Sequence, residues 1–111
     1  MTLDELTSPV TLVRLRGRLD APGSDAIGLR FTAAVAGQSR NAAVDLTGVS
    51  FVASLGLRLL ISAARSLASK GHRVVLFGAN EMVQGVLDDA ALDQIMPIFT
   101  AEDEALAALA A

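Results

Sequence analysis

Few residues of this chain could do chemistry, and Ser54 stands out by its setting. It lies in the stretch Asp45-Leu46-Thr47-Gly48-Val49-Ser50-Phe51-Val52-Ala53-Ser54-Leu55-Gly56-Leu57-Arg58. This reads as the end of a strand, a turn at Thr47-Gly48-Val49-Ser50, and a serine where a helix begins. A catalytic nucleophile elbow needs glycine two residues before the serine and two after. Gly56 meets the second requirement, but position 52 is Val52. The one histidine, His72, falls at the far end of the helix that starts near Ser54. A helix of that length spans about 20 Å, so His72 cannot serve as the base of a Ser/His/Asp arrangement. It reads instead as an exposed residue at a helix C-terminus, where a cation is favoured.

Other chemistries find less support. Cysteine is absent, which removes thiol catalysis, disulfides and thiolate metal ligation and fits a reducing compartment. The nearest thing to a metal ligand set is Asp88, Asp89 and Asp93, which reads as a solvated patch. Neither a phosphate-binding loop nor a dinucleotide fingerprint is present. No catalytic residue, metal or cofactor is expected.

A chain of 111 residues is sized for one domain, residues 1–111, with a core that needs no staple. Hydrophobic residues make up 52% and charged residues 19%, which excludes an intrinsically disordered chain. With no Trp or Tyr, the core must be aliphatic. The net charge of −3 and the scattered basic residues argue against nucleic acid, which selects clustered Lys and Arg. Residues 1–9 carry Asp4 and Glu5 and do not form a signal peptide. The longest nearly uncharged apolar run, Val44 to Leu57, is interrupted by Asp45, Gly48 and Gly56 and is too short to span a bilayer. The expectation is a cytoplasmic domain without membrane association, a monomer or weak dimer.

The elements that must position Ser54 follow from periodicity. Val10 to Arg16 alternates as a strand buried on Val13 and Leu15, with Leu3 to Leu6 as a short edge strand before it. Gly17 breaks the strand, and Arg18 to Gly23 is a loop. A helix follows from about Ser24 to Ala36, with Ile27, Phe31, Ala34 and Val35 on its inner face and Gly37 as its stop. Asn41 to Leu46 is a central strand buried on both faces.

The helix after Ser54 runs from about Leu55 to Ser69. Leu57, Leu60, Ile61, Ala64, Leu67 and Ala68 form its apolar stripe, and Arg58, Ser62, Arg65 and Ser69 form another face. Val74 to Phe77 is a strand. Asn80 caps a helix from Glu81 to about Ala90, whose core face is Met82, Val83, Val86 and Leu87. A last strand around Ile95, Ile98 and Phe99 is placed at an edge by Pro97. Thr100 caps a final helix with Glu102, Asp103 and Glu104 in its first turn, docked by Leu106 and Leu109. Strands alternate with helices after the first pair, which predicts an α/β fold, a mostly parallel mixed sheet of four to five strands with about four helices.

Two readings of Ser54 share this geometry. In one it is a helix N-cap, its oxygen accepting a first-turn N–H, worth about 1 kcal/mol. In the other the hydroxyl is exposed at the C-terminal edge of a parallel sheet, where open α/β folds place their sites. A phosphate there would meet free N–H groups and the positive end of the helix dipole. It would add roughly −1.5 to −2 charge to a surface lined by Val52, Ala53, Leu55 and Leu57, kept free of side-chain bulk by Gly56. Arg58, one turn on, is either solvated or a partner for that phosphate.

The stretch from Asp45 to Leu57 closely resembles the signature of STAS-domain anti-sigma-factor antagonists, as does Gly17-Arg18-Leu19-Asp20 after the early strand. The resemblance implies a STAS fold. It also implies that Ser54 is phosphorylated by a GHKL-type serine kinase that doubles as an anti-sigma factor. The unphosphorylated antagonist would bind that kinase and release its target, and a PP2C-type phosphatase would reset the switch. It places Asp20 close to Ser54, where Asp20 would help the kinase engage. The implied partner-binding set is Asp20, Ala53, Leu55, Gly56, Leu57 and Arg58. Two positions depart from the family pattern: Ala53 stands where many members have Asp, and Leu55 where many have Ser or Thr. Both make the rim more apolar, and the first removes a negative charge. The rival expectation is a constitutive STAS subunit of a transport or signalling scaffold, with Ser54 as a cap or contact.

Overall fold

The computed structural model describes residues 1–7 and 9–110, without the side chains of Leu6 and Thr7. The strands are β1 (Thr2–Thr7), β2 (Thr11–Leu19), β3 (Ala42–Val52), β4 (Val74–Phe77) and β5 (Ile98–Phe99). The helices are α1 (Ala21–Val35), α2 (Ser54–Ala68), α3 (Glu81–Asp89) and α4 (Glu102–Ala110), with one 3-10 turn at Leu92–Gln94. The strands form one sheet in chain order, β1-β2-β3-β4-β5. Only the β1–β2 pair is antiparallel.

That order dictates the layers. Each step from β2 to β5 moves one strand in the same direction, and parallel crossovers share one hand, so α1, α2 and α3 all cover the same face. Their side chains Ile27, Phe31, Leu60, Leu67, Val83 and Leu87 pack on Val13, Leu15, Val44, Leu46, Val74 and Leu76 in one cluster. The alternate residues Leu12, Ala43, Val75 and Phe77 point to the opposite face, where Ala105 and Leu109 of α4 cover them. The strict alternation of strand side chains separates the two clusters.

Several boundaries differ from the sequence expectation, for identifiable reasons. Gly17 does not end β2: at φ 109° it carries the strand through a register shift, and the strand continues to Leu19. Thr47 to Ser50 is not a turn but part of β3. Arg14 pairs with Asp45 and Arg16 with Gly48, then Gly17 with Val49 and Arg18 with Phe51. At each step β3 holds one residue more than β2, the geometry of a β-bulge. Helix α1 starts at Ala21, ahead of Ser24, because Asp20 caps it and Pro22 suits its first turn. Helix α4 starts at Glu102, and the Thr100 hydroxyl donates to Glu104 Oε1 at 2.8 Å. Met82, expected in the core, is exposed, as is Ala68. Ile95 lies just after the 3-10 turn and outside β5.

Candidate functional site

Parallel strands whose crossover helices share one face bring the N-termini of α1, α2 and α3 to one edge of the sheet. Their entry residues can be compared directly. Asp20 caps α1, its Oδ1 accepting from the Gly23 N–H at 2.9 Å. Asn80 caps α3, its Oδ1 accepting from the Val83 N–H at 2.8 Å, while its Nδ2 donates to the Val49 carbonyl at 3.3 Å. Helix α2 has Ala53 at its cap position and no side-chain cap. Ser54 is therefore not the cap. It is the first helical residue and is exposed.

Asp20 and Ser54 stand at the ends of adjacent strands. Leu19 pairs with Val52, and the Ala53 N–H donates to the Leu19 carbonyl at 3.0 Å. The Asp20 carboxyl is held below its usual range, first by the Gly23 N–H and then by Arg18, whose Nε lies 3.1 Å from Oδ2. It is thus charged at neutral pH. The Arg18 guanidinium also sits 4.4 Å from the centre of the Phe51 ring, a cation–π arrangement. The Asp20 carboxylate is thus a fixed anion at this edge, and the Arg18 cation is already paired with it.

The remaining expected site residues divide in two. Leu55 and Arg58 are exposed and line a groove between α1 and α2 together with Ser24, Asp25, Gly28, Leu29, Thr32, Leu59 and Ser62. Gly56 and Leu57 turn inward. A Cβ on Gly56 would lie 2.5 Å from the Leu19 carbonyl oxygen and 2.6 Å from Leu19 Cγ. Gly56 therefore lets α2 pack on the end of β2; it does not open the surface to a partner. Leu57 packs against the main core, Ala53 is half-buried, and Val52 is buried and not on the rim.

His72 is half-buried at the opposite end of α2, away from Ser54. Among the described residues no group of three or more His, Asp or Glu could hold a metal ion, and Asp88, Asp89 and Asp93 are all exposed. No helix among the described residues is long and apolar enough to cross a membrane.

A second polar cluster escaped sequence reasoning. Arg14 Nη1 lies 2.7 Å from Asp45 Oδ2 and 2.8 Å from Glu102 Oε1, tying β2 and β3 to the first turn of α4. Asp45 is buried, which alone would raise its pKa. Hydrogen bonds from Thr47 and from Arg14 outweigh that and hold it below its usual range. One of them, Thr47 N–H to Asp45 Oδ1 at 2.8 Å, satisfies a backbone donor at the first bulge. The signal available in the sequence was a carboxylate inside an apolar strand.

The fold and the site define a class: an α/β domain whose exposed serine starts a crossover helix that no side chain caps. A family model described as STAS domain matches residues 3–105, and the chain belongs to the STAS-domain family. It is 31% identical over 101 residues to an anti-sigma F factor antagonist of Paenibacillus polymyxa, covering 90% of this chain and 86% of that protein. An anti-sigma-factor antagonist (STAS) domain protein of Planctomyces limnophilus has a similar structure, with a TM-score of 0.87 at 25% identity over 98% of both chains. The Bacillus cell fate determinant SpoIIAA in its phosphorylated form shares the fold at a TM-score of 0.69 and 24% identity, over 95% of both chains. The fold also occurs within the murine anion transporter Slc26a9, where 91% of this chain matches 18% of that one at a TM-score of 0.78 and 17% identity.

Proposed function

We propose that residues 1–111 act as a single STAS domain, an anti-sigma-factor antagonist whose partner binding is switched by phosphorylation of Ser54. In this reading it is a cytoplasmic binding module and not an enzyme. It uses no cofactor or nucleic acid, associates with no membrane and is at most a weak dimer. Unphosphorylated, it binds a GHKL-type serine kinase that also serves as the anti-sigma factor, and so frees that kinase's target. A PP2C-type phosphatase restores the binding form. Partner contacts come from Asp20, Ala53, Leu55 and Arg58, with Gly56 and Leu57 setting the position of the helix that presents them.

The observation that carries this reading is the contrast among the three helix N-termini at one edge. Two are capped by side chains, and the one that begins with the exposed Ser54 is not. A phosphate on Ser54 would meet first-turn N–H groups that no side chain occupies. It would also add a second anion beside Asp20 and next to the exposed Leu55. An apolar partner surface seated there would face a charge it could not solvate. The names of the similar proteins point the same way, since SpoIIAA is described in a phosphorylated form.

The test is incubation with the cognate kinase and ATP, followed by mass spectrometry of the peptide that contains Ser54. The expected result is one phosphate on Ser54. Ser54→Ala is expected to keep kinase binding, and Ser54→Asp to weaken it by more than about tenfold, or about 1.4 kcal/mol. The likeness to part of a transporter favours a second reading, a constitutive STAS subunit of a larger assembly. That reading predicts no phosphate on Ser54 and equal affinities for the two variants.

A further inference from the structure

The α1–α2 groove holds the least buried large apolar side chain of the core helices. Leu29 is 90% exposed, and it projects off the α1 stripe formed by Ile27, Phe31, Ala34 and Val35. Across from it on α2 stand Leu55, 40% exposed, and Leu59. The floor between them is low because it contains Gly28, where an added Cβ would meet nothing within 4 Å. The groove measures about 450 Å³.

It is continuous with the switch serine, since Leu55 follows Ser54 and also lines the groove. The α2 side chains along it, Leu55, Arg58, Leu59 and Ser62, recur at the spacing of one helix face. That face continues to Arg65. Helix α2 contains no acidic residue, and neither Arg58 nor Arg65 has an ion-pair partner among the described residues. The α1 wall of the groove carries one carboxylate, Asp25, while Arg58 on the α2 wall and Arg65 beyond its end are unpaired cations, so the α2 side beside the exposed leucines selects for the acidic flank of an amphipathic ligand.

We propose that this groove docks an amphipathic helix of the kinase that acts on Ser54, its apolar stripe against Leu29, Leu55 and Leu59 and its acidic flank along Arg58 and Arg65. The inference rests on the switch reading above and adds the surface that the kinase holds while it reaches the hydroxyl. A groove of this kind suits a helix, whose anchors at i, i+3 or i+4, and i+7 match it. Docking outside the reacting centre would set affinity and leave the chemical step unchanged.

The test uses the full chain and the purified kinase, with binding affinity and the kinetics of Ser54 phosphorylation as readouts. Leu29→Glu places a charge against the apolar stripe of the docked helix. Gly28→Phe adds bulk at the floor, where a Cβ meets no neighbouring atom within 4 Å. Met82→Glu, at a residue 64% exposed on α3 and outside the groove, is the control. The expected result is that Leu29→Glu and Gly28→Phe each weaken binding by about tenfold or more and raise KM for phosphorylation by a similar factor, with kcat unchanged and Met82→Glu within twofold of the parent. Thermal melts should be level with the parent for Leu29→Glu, since that side chain is already in water.

If both groove variants bind within twofold of the parent while Ser54→Asp still weakens binding, the groove proposal is overturned and the switch stands. If Ser54 takes up no phosphate and Ser54→Asp binds like Ser54→Ala, the switch reading fails, and the groove proposal with it. If Leu29→Glu abolishes a self-association seen by sedimentation and leaves kinase binding unchanged, the occupant is a second copy of the chain and the proposal is equally overturned.

Discussion

At the scale of single residues, the position of Ser54 depends on what precedes it. A serine at a cap position turns its oxygen toward its own helix; at the first helical position it does not. Ala53 has taken the cap position and has no side chain with which to fill it. The Asp that many STAS antagonists carry at this position could accept a first-turn N–H. Ala53→Asp is therefore expected to stabilise the domain by about 1 kcal/mol, raising its melting temperature by about 4 °C. The same change should slow phosphorylation of Ser54, because a carboxylate would then occupy the N–H groups that a phosphate would use. Calorimetry and a kinase time course check the two halves separately. Ser54 was legible in the sequence because a strand end, a small residue and a glycine converge there. The cap assignment was not, because a one-residue shift of a helix start leaves the sequence pattern almost unchanged.

At the scale of elements, β3 does more than deliver Ser54. Its two bulges let it run as one strand from Ala42 to Val52, where the sequence suggested a strand followed by a turn. Gly48 and the polar Thr47 and Ser50 are ordinary turn residues, and nothing local distinguishes a turn from a bulge; the partner strand decides. Asp45 supports the first bulge from below by accepting the Thr47 N–H, and it is itself held by Arg14. Asp45→Asn leaves Arg14 with the more exposed Glu102 as its only anionic partner among the described residues. It is expected to cost about 2 kcal/mol at pH 7, the scale of a hydrogen bond to a charged group. The pH dependence carries the sign. A carboxyl whose folded pKa lies below the unfolded value contributes stability above that value and loses it as the pH falls through the folded one. Asp45 and Asp20 are both lowered from 3.8. The parent should therefore lose stability as the pH drops below about 4, and the gap between the parent and Asp45→Asn should narrow over the same window. Urea melts at pH 7, 5 and 3 measure it. A constant gap would mean that Asp45 acts by packing alone.

At the scale of the whole molecule, strands in chain order and crossovers of one hand put every helix entrance at one edge and α1, α2 and α3 on one face. The alternation of apolar strands with amphipathic helices made this much legible. The docking of α4 through Leu106 and Leu109 was legible too; the sequence pattern left hidden which face α4 covers, where Leu12, Ala43, Val75 and Phe77 need it, and the α1–α2 groove, which no spacing of residues announces. The two features lie on opposite sides of the sheet, so stability and recognition should separate. Leu109→Ala, which empties a buried position under α4, is expected to cost about 2 kcal/mol and lower the melting temperature. It should leave kinase affinity and the KM for Ser54 within twofold of the parent at temperatures where the domain is folded. Leu29→Glu should do the reverse, keeping the melt and losing affinity. The pair amounts to a double dissociation across the sheet, read by calorimetry and kinase binding. If Leu109→Ala instead weakened kinase binding in the folded domain, α4 and the Ser54 edge would be coupled through the sheet, with the Arg14–Asp45–Glu102 cluster as the physical link between them.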